Sequence, residues 1–449
     1  MAGHDKTPHQ QVLLPVEAEG FVESLEVLKV KDIGSPKWQK QHEYLEKLNM
    51  QAVVNASANE DEFIKELLIS REKIPVLITD LLISEVWRDK VFSVIKKLNF
   101  EPKTTISIYM ALYHEATVTN LLETVLYYKE PCEAAEDTII DLLDFCHRKI
   151  LNLIARYVSI IREKLFFKVG NSAVLTCICL FQDLIHQDKK LQFDIGVKSL
   201  SILRYLTDHL ESLPLSVATR MLNTHDVPCL LVQLVEDRPW CCLRDGKLFK
   251  YEDGKWQEIQ PSERLRLSRL DGQVWIALFN LLLGPQCINK YEYNDHNKNQ
   301  VLKLRGFMTE VTLDQMPSLC DLQRYLEQLA MMEPPAPQSA ILLEQVPEIY
   351  DKILKDNEGR WGAIAKHQVK TVFNPPEDVI REQARRFAET YNFDVIESLL
   401  SDPPKCALCG DAASKRCSRC KNEWYCGREC QVKHWSKHKA VCSIVAGET

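Results

Sequence analysis

Apolar side chains recur at intervals of three or four residues through most of the first 400 positions, which is the spacing of one face of an α-helix. The clearest stripe starts at Ile139 and continues through Leu142, Leu143, Cys146, Ile150, Leu153, Ile154, Tyr157, Val158 and Ile161. Helix-start signals accompany other stretches, such as Ser35 and Pro36 before residues 38–48. The pattern predicts a mainly α-helical body in which short loops join successive helices.

Two distant segments share one pattern. Residues 74–82 (IPVLITDLL) and 227–235 (VPCLLVQLV) each place a proline at the start of a helical apolar face. This pattern resembles the last helix of armadillo-type repeats, which bury that face by stacking on neighbouring repeats. Two architectures fit the body: an irregular armadillo-like scaffold, which we favour, and an unrelated helical bundle with two proline-started core helices.

One segment departs from the helical period. Residues 240–259 contain two Asp-Gly pairs flanked by aromatic and aliphatic residues, which is typical of a small β-meander with tight turns. We predict a β-hairpin insertion between helices. Its Trp240 and Trp256 have two interpretations, a contact surface or aromatic packing of the strands onto the helices, and we favour packing.

Composition and charge divide the chain. Of 449 residues, 45% are hydrophobic and 27% charged, as in globular proteins. Residues 405–442 contain nine Lys or Arg and three Asp or Glu, a formal charge of +6, so the remainder must carry −13 to give the net charge of −7. The sequence therefore predicts an acidic body with a small basic C-terminal module.

Proline-rich stretches at 333–338 and around 402–404 mark the predicted boundaries. The predicted organisation is an acidic helical body (1–332), a Pro-rich linker (333–338), C-terminal helices of the body (339–400), a linker (401–405), a cysteine module (406–442) and a tail (443–449).

The cysteines indicate the compartment and the chemistry. Residues 1–6 lack a signal-peptide core, and the longest nearly apolar stretches are about half the roughly 18 residues that span a bilayer. We therefore expect a protein of the cytosol or nucleus, whose 16 cysteines are thiols or metal ligands rather than disulfides. Nine are scattered through the body and are predicted to be small buried residues, whereas seven lie between positions 406 and 442.

The module supplies eight soft or borderline ligands in four pairs: Cys406, Cys409, Cys417, Cys420, Cys426, Cys430, His438 and Cys442. Because Zn²⁺ takes four thiolates or imidazoles, this number predicts two structural zinc ions with no position left for a reacting water. A segment this short buries too little apolar surface to fold alone, so zinc binding must supply its folding free energy.

This spacing, with Tyr425 before Cys426 and Trp435 three residues before His438, closely resembles the MYND-type zinc-finger family. The resemblance implies cross-braced ligation, with Cys406, Cys409, Cys426 and Cys430 on one zinc and Cys417, Cys420, His438 and Cys442 on the other. His434 is left outside both sets and is interpreted as a surface residue.

MYND fingers are generally protein-interaction modules that take short proline-containing peptides. The resemblance assigns peptide binding to Gln431 and Trp435, which share a helix face at i, i+4. From chemistry alone, Trp435 is equally well interpreted as the core of a tiny domain. The basic surface raises nucleic acid as a minor alternative. However, seven thiolates and two Zn²⁺ together lower the formal charge of the module from +6 to about +3. The acidic remainder of the chain repels phosphates.

The resemblance extends into the body and points to a family of MYND-finger proteins implicated in cytoplasmic preassembly of axonemal dynein arms. The segments that carry it are 45–52 (LEKLNMQA), 113–123 (YHEATVTNLLE), 135–149 (AEDTIIDLLDFCHRK), 271–283 (DGQVWIALFNLLL), 363–368 (AIAKHQ) and 415–435. It implies an adaptor that works with axonemal dynein chains, a leucine-rich-repeat assembly factor and chaperones including an immunophilin. The expected location is the cytoplasm, including the centrosome, centriolar satellites or the apical region of ciliated cells.

Catalysis is not expected. His114 and Glu115 resemble the start of a zincin motif, but Val118 stands where the second histidine belongs, so His114 is interpreted as a helix-surface residue. Cys146 and His147 are adjacent, and neighbours on a helix do not face each other as a nucleophile and base must. The alternative to an assembly adaptor is a nuclear transcriptional co-regulator that recruits partners through its finger.

Overall fold

The computed structural model describes residues 13–58, 62–98, 104–166, 180–244, 246–288, 290–331, 345–377, 406–420 and 423–445, together with positions 100, 102, 379 and 385. Within these ranges the chain is mainly α-helical with small antiparallel sheets, which confirms the predicted fold class.

Helices account for most of the N-terminal half. They are α1 (Pro15–Ser24), α2 (Pro36–Ala58), α3 (Phe63–Ser70), α4 (Ile74–Val86), α5 (Ser93–Ile95), α6 (Ile106–Val125), α7 (Lys129–Glu133), α8 (Thr138–Phe166) and α9 (Leu180–Asp208). A 3₁₀ turn lies at Val30–Asp32, and a π-helical turn at Trp87–Phe92 joins α4 to α5. The helix predicted at residues 38–48 is the central part of α2.

The second half of the body combines shorter helices with one sheet. The helices are α10 (Leu215–Thr219), α11 (Val227–Asp237), α12 (Arg269–Leu283), α13 (Asp295–Leu302), α14 (Glu310–Gln315), α15 (Leu319–Met331), α16 (Ile349–Asp356) and α17 (Trp361–Thr371). A π-helical turn lies at Arg220–Thr224, and 3₁₀ turns lie at Pro261–Glu263 and Lys303–Gly306. As the two proline-started segments predict, α4 and α11 each begin one residue before a proline.

The predicted β-insertion is present as strands β1 (Cys241–Arg244), β2 (Lys247–Glu252) and β3 (Lys255–Glu258), paired antiparallel in chain order. Asp253 and Gly254 both have positive φ, 49° and 77°, as a tight type I′ turn requires. The other predicted Asp-Gly turn includes position 245, outside the described residues. Trp240 is 1% exposed and its Nε1–H donates to Asp271 at 3.0 Å, so it packs the insertion onto the helices.

Long helices surround α6 and α9 at the centre of the body. Helix α6 packs against α2, α4 and α9, and α9 also packs against α8 and α12. As a result α6 has no wide solvent-facing side, and several polar residues on it are buried. His114 is 0% exposed, so its interpretation as a helix-surface residue is wrong. Its Nε2 lies 2.9 Å from Asp80 Oδ2 and its Nδ1 lies 2.9 Å from His42 Nδ1.

The last helices of the body return to its first ones. Helix α16 packs against α4, and α17 packs against α5 and the adjoining π turn. Gln368 of α17 accepts a hydrogen bond from Trp87 Nε1 at 2.8 Å and donates to the carbonyl oxygen of Ile33 at 3.1 Å. Residues 13–33 and 349–373 therefore belong to one hydrophobic core. The predicted linkers at 333–338 and 401–405, and nearly all of residues 378–400, lie outside the described part of the chain.

Candidate metal centres

The cysteine module is built from two short strands and one helix. Strands β4 (Lys415–Arg416) and β5 (Trp424–Tyr425) pair antiparallel, and α18 (Arg428–Val445) follows. Backbone bonds close the two cysteine loops: Cys406 N–H donates to Asp411 O at 2.7 Å, and Cys417 N–H donates to Glu423 O at 2.8 Å. These bonds, with α18, bring ligands from four parts of the segment into two groups.

The first cluster contains the Sγ atoms of Cys406, Cys409, Cys426 and Cys430, all within 4.8 Å of one another. The Sγ atom of Cys409 lies 3.4 Å from that of Cys426 and 3.9 Å from that of Cys430, and Cys426 and Cys430 are 3.5 Å apart. Two ligands come from the first loop and two from the region where β5 meets α18.

The second cluster contains Cys417, Cys420, His438 and Cys442, again within 4.8 Å. The Nε2 atom of His438 lies 3.4 Å from the Sγ atoms of both Cys417 and Cys420, and Cys417 Sγ lies 3.8 Å from Cys442 Sγ. Both groups have the membership implied by the resemblance, in which the first and third ligand pairs share one metal and the second and fourth share the other.

These distances fit zinc. A tetrahedral zinc with Zn–S bonds of about 2.3 Å separates its sulfur ligands by about 3.8 Å, and a Zn–N bond of about 2.0 Å makes the S···N distance slightly shorter. The Sγ–Sγ distances of 3.4–3.9 Å and the Sγ–Nε2 distances of 3.4 Å lie close to these values. The donor sets, four Cys and three Cys with one His, are those of structural zinc, so the module holds two zinc ions.

One thiol in each cluster is prepared as a thiolate by its backbone. Hydrogen bonds from the amide N–H groups of Cys409 and Cys426 lower the pKa of Cys406 to about 6. Burial raises the pKa of Cys417, but the amide N–H of Cys420 and the side chain of His438 outweigh burial and lower it to about 6. Since the thiolate is the form that binds metal, these two thiols bind zinc most readily near neutral pH. The backbone N–H of Asp411 lowers the pKa of Cys409, but the side chains of Cys406 and Cys426 outweigh it and raise the pKa to about 11, so zinc must displace a proton from Cys409.

The module has a very small apolar core, which its aromatic residues complete. Tyr425 is 1% exposed, and its hydroxyl lies 3.1 Å from His434 Nδ1. His434 is therefore partly buried against Tyr425, and its ring belongs to neither metal cluster, as predicted. Trp435 packs against the same core and meets the His438 ring edge-on, with centroids 5.9 Å apart.

The predicted peptide-binding residues lie on α18, next to this core. Gln431 and Trp435 are both partly exposed. Val432, three residues before Trp435, is 65% exposed, an apolar side chain in contact with solvent. Sequence reasoning missed Val432 because the stripe of metal ligands dominates the pattern of this helix. The three residues form an apolar and amide-bearing patch beside the second zinc cluster.

The body does not assemble a nucleophile from its sequence candidates. Cys146 is fully buried, and burial raises its pKa far above the ordinary thiol value. Burial and the neighbouring His225 lower the pKa of His147 to about 4; its ring stacks on that of His225 with centroids 4.0 Å apart. The sequence did not reveal a second feature, a buried group of charges formed by Glu85, Arg88, Glu115 and Lys149.

Comparisons with known proteins identify the finger, and one of them also covers the helical body. Residues 406–442 match the family described as "MYND finger". A Drosophila melanogaster protein named zinc finger MYND domain-containing protein 10 homolog is 32% identical over 450 residues, 95% of this chain and 98% of that protein. The chain belongs to this protein family. The similarity to the zinc finger MYND domain-containing protein 10 homolog therefore covers the body as well as the finger.

Shorter matches involve only part of the chain. Ubiquitin carboxyl-terminal hydrolase 19 of Arabidopsis thaliana is 47% identical over 45 residues, 10% of this chain and 7% of the hydrolase. Tudor domain-containing protein 1 of Mus musculus is 32% identical over 88 residues, 18% of this chain and 7% of that protein. No solved structure matches, so the armadillo-like architecture of the body stays a prediction. Among the described residues, no helix is long and apolar enough to cross a membrane.

Proposed function

We propose that the protein is a non-catalytic adaptor for the cytoplasmic preassembly of axonemal dynein arms. The observation that carries the proposal is the whole-chain similarity to the zinc finger MYND domain-containing protein 10 family, body and finger together. The partners proposed by family resemblance are axonemal dynein chains, a leucine-rich-repeat assembly factor and chaperones including an immunophilin. We place this work in the cytoplasm, including the centrosome, centriolar satellites and apical region of ciliated cells.

The geometry of the metal clusters favours binding over catalysis. Each cluster offers four protein ligands, and a zinc with four protein ligands has no open position for substrate or water. Zinc then acts as a structural element that fixes α18 against β5. The partial match to a ubiquitin hydrolase is to the MYND finger and supplies no argument for hydrolysis.

The proposed peptide site is the patch of Gln431, Val432 and Trp435. The partly exposed Trp435 ring offers a flat apolar surface of the kind on which a proline ring packs, and the Gln431 amide can both donate to and accept from a peptide backbone. Val432 enlarges the apolar area. Because Trp435 also packs on the finger core, its face toward solvent is held in a fixed orientation before any peptide binds.

We also propose that body and finger are separate folding units, with the body at 1–332 and 339–400 and the finger at 406–442. In the described residues, one apolar cluster extends from Leu13 to Phe373 and a second from Cys406 to Cys442. Two units let one chain hold two partners at once, which raises their effective concentration toward each other.

Affinity purification from differentiating ciliated cells tests the function. Wild-type protein, Trp435→Ala and Cys417→Ala are compared, and bound chains are identified by mass spectrometry. Lys437→Ala is the matched control, because Lys437 is exposed on α18, about 200° around the helix from Trp435. We expect dynein chains and chaperones on the wild type and on Lys437→Ala, with one subset lost from Trp435→Ala and Cys417→Ala.

Two outcomes contradict the proposal. Recovery of chromatin factors without dynein would favour the nuclear co-regulator. Loss of zinc from purified Trp435→Ala, measured by elemental analysis, would make Trp435 a core residue of the finger and remove it from the peptide site.

A further inference from the structure

A groove of about 1180 Å³ lies in the body between α9 and the three-stranded sheet. One wall is formed by α9, with Phe193 and Asp194. The other is formed by the sheet, with Tyr251 of β2 and Trp256 of β3 on the face toward α9 and Leu243 on the edge strand β1. The volume is enough for several amino-acid side chains. None of the motifs that predict the zinc finger involves these residues.

The floor of the groove is a preformed aromatic cluster. The Phe193 ring lies 4.9 Å from that of Tyr251 and 5.6 Å from that of Trp256, centroid to centroid, and the last two are 5.5 Å apart. The Tyr251 hydroxyl donates a hydrogen bond to Asp194, which fixes the ring to α9. Phe193 and Trp256 remain partly exposed. The floor therefore presents a rigid apolar surface, as pockets for aromatic or leucine side chains do.

The rim of the groove is cationic. Lys189 and Lys190 of α9, Arg244 of β1 and Lys255 of β3 line it and are exposed. The Arg244 guanidinium lies over the Trp256 ring, 5.3 Å from its centroid.

Lining carboxylates offset this charge only in part. Five cationic side chains (Lys189, Lys190, Arg238, Arg244 and Lys255) and three carboxylates (Asp194, Glu236 and Asp237) line the groove. Glu236 lies 3.0 Å from Lys303, and Arg238 lies 2.7 Å from Asp271. A cationic rim is distinctive here, since the chain outside residues 405–442 carries a formal charge of −13. Such a patch attracts and orients an anionic segment.

One side of the groove is the edge of a sheet. Among the described residues, β1 has a strand neighbour on one side, β2. Tyr251 N–H donates to Trp240 O at 2.9 Å, and the register pairs Cys242 with Phe249. In an antiparallel ladder alternate residues bond to the neighbouring strand, so Cys242 and Arg244 bond to β2. Leu243 lies between them and directs its N–H and C=O to the open edge of the sheet. The Leu243 side chain is 58% exposed.

We propose that this groove is a second protein-binding site, which takes an extended acidic peptide segment of a partner chain, paired along β1 with one large apolar side chain on the aromatic floor. Addition of a strand to an open edge gives affinity through main-chain bonds, and the pocket and rim give specificity. The basic finger is excluded as the occupant because its charge, about +3 with zinc bound, has the same sign as the rim.

The test uses the full-length, zinc-loaded protein and fluorescein-labelled peptides, with binding measured by fluorescence anisotropy. The probe is DEDLFDEDE. The matched controls are DEDSSDEDE, which keeps the charge and removes the apolar anchor, and KRKLFKRKR, which reverses the charge. We expect the probe to bind at least about tenfold more tightly than either control and to weaken as salt rises. N-methylation of alternate backbone amides in the probe should reduce binding by a similar factor, because it removes the bonds to β1.

Variants locate the site. Lys190→Glu combined with Arg244→Glu should weaken the probe at least about tenfold, since both side chains are exposed on the rim and their loss leaves the core intact. Lys366→Glu combined with Lys370→Glu, the same charge change on exposed positions of α17, should bind as the wild type does. Thermal melts followed by circular dichroism check that both double variants fold.

Several outcomes overturn the inference. Equal affinity of the rim variant and the wild type would do so, as would equal affinity for the probe and DEDSSDEDE. Loss of probe binding in Trp435→Ala would place the peptide on the finger. A dimer in sedimentation velocity that Arg244→Glu dissociates would assign the groove to a second copy of the chain.

Discussion

The ammonium group of Lys149 lies 2.5 Å from Oε1 of Glu115, and both side chains are 1% exposed. Lys149 also lies 3.1 Å from Glu85, which Arg148 contacts at 2.6 Å. Burial raises the pKa of Glu115, but the charges of Arg88 and Lys149 outweigh burial and lower it to about 2. Buried ion pairs thus join helices α4, α6 and α8, and each charged group in them compensates the charge of its neighbours.

Replacing Lys149 with methionine should destabilise the body strongly. The change keeps most of the side-chain volume but leaves the carboxylates of Glu85 and Glu115 buried with less compensating charge, which costs about 3–5 kcal/mol. Chemical denaturation followed by circular dichroism measures this loss. The control is Lys129→Met, which removes an exposed i, i+4 pair with Glu133 and should cost less than about 0.5 kcal/mol. Equal, small effects of both changes would show that the buried charges are not coupled.

Protonation of two wholly or partly buried histidines should weaken the body as pH falls. Burial lowers the pKa of His42 well below its ordinary value of 6.5, and burial with the nearby His225 lowers that of His147 to about 4. Between these values and 6.5 the unfolded chain binds protons that the folded chain excludes, so stability is full above pH 6.5 and is lost as pH falls. We expect the melting temperature of the body to fall between pH 7 and pH 5.

Thermal melts of the body across this pH range measure the effect. His42→Gln should reduce the pH dependence and leave the part that His147 contributes, whereas His367→Gln, a change at an exposed position of α17, should leave it unaltered. A wild-type melting temperature that is constant from pH 7 to pH 5 would contradict the neutral burial of these histidines.

Zinc content should separate the two histidines of α18. His438→Ala removes a ligand of the second cluster and should reduce bound zinc from two ions to one or none. His434→Ala, one helical turn earlier, should retain both ions, since His434 belongs to neither cluster. Elemental analysis gives the ratio. A strong chelator should unfold the finger and leave the cooperative melt of the helical body in place; simultaneous loss of both would contradict the division into two units.

Two glycines should respond to alanine in opposite directions. Gly34 has φ of +84°, and a Cβ placed there would lie 2.3 Å from Val372 Cγ1, so Gly34→Ala should destabilise the body by about 2 kcal/mol or more. Gly20 lies in α1 with no heavy atom within 4 Å of the added Cβ, and Gly20→Ala should stabilise by up to about 1 kcal/mol. The melting temperatures of the two variants measure these effects. If both shift in the same direction, the predicted clash between a Cβ at position 34 and Val372 would be wrong.

Sequence patterns correctly predicted the features that depend on residues close together in the chain. The proline starts of α4 and α11, the antiparallel strands after Trp240 and the eight zinc ligands follow from residue types and spacing along the chain. Each depends on residues close in sequence or on the valence of one metal. The exception among the ligands is their division between two metals, which came from resemblance, because spacing alone permits other groupings.

The positions that sequence reasoning missed depend on distant elements. His114 lies on a helix with packing partners around most of its circumference, so an amphipathic pattern could not show that it is buried. The groove at Phe193 and Trp256 joins elements about 60 residues apart, and its cationic rim combines charges from three elements. Neither is visible until the chain is folded.

The bond between Trp87 and Gln368 spans 281 residues, which has a consequence for synthesis. When the first helices leave the ribosome, the π turn at Trp87–Phe92 lacks the helix that covers it, and that helix is made only near the end of the body. The N-terminal helices therefore lack part of their packing, and keep an uncovered apolar surface, during most of translation. A premature stop before Trp361 would do more than remove the finger, because it would leave this apolar surface of the nascent body uncovered.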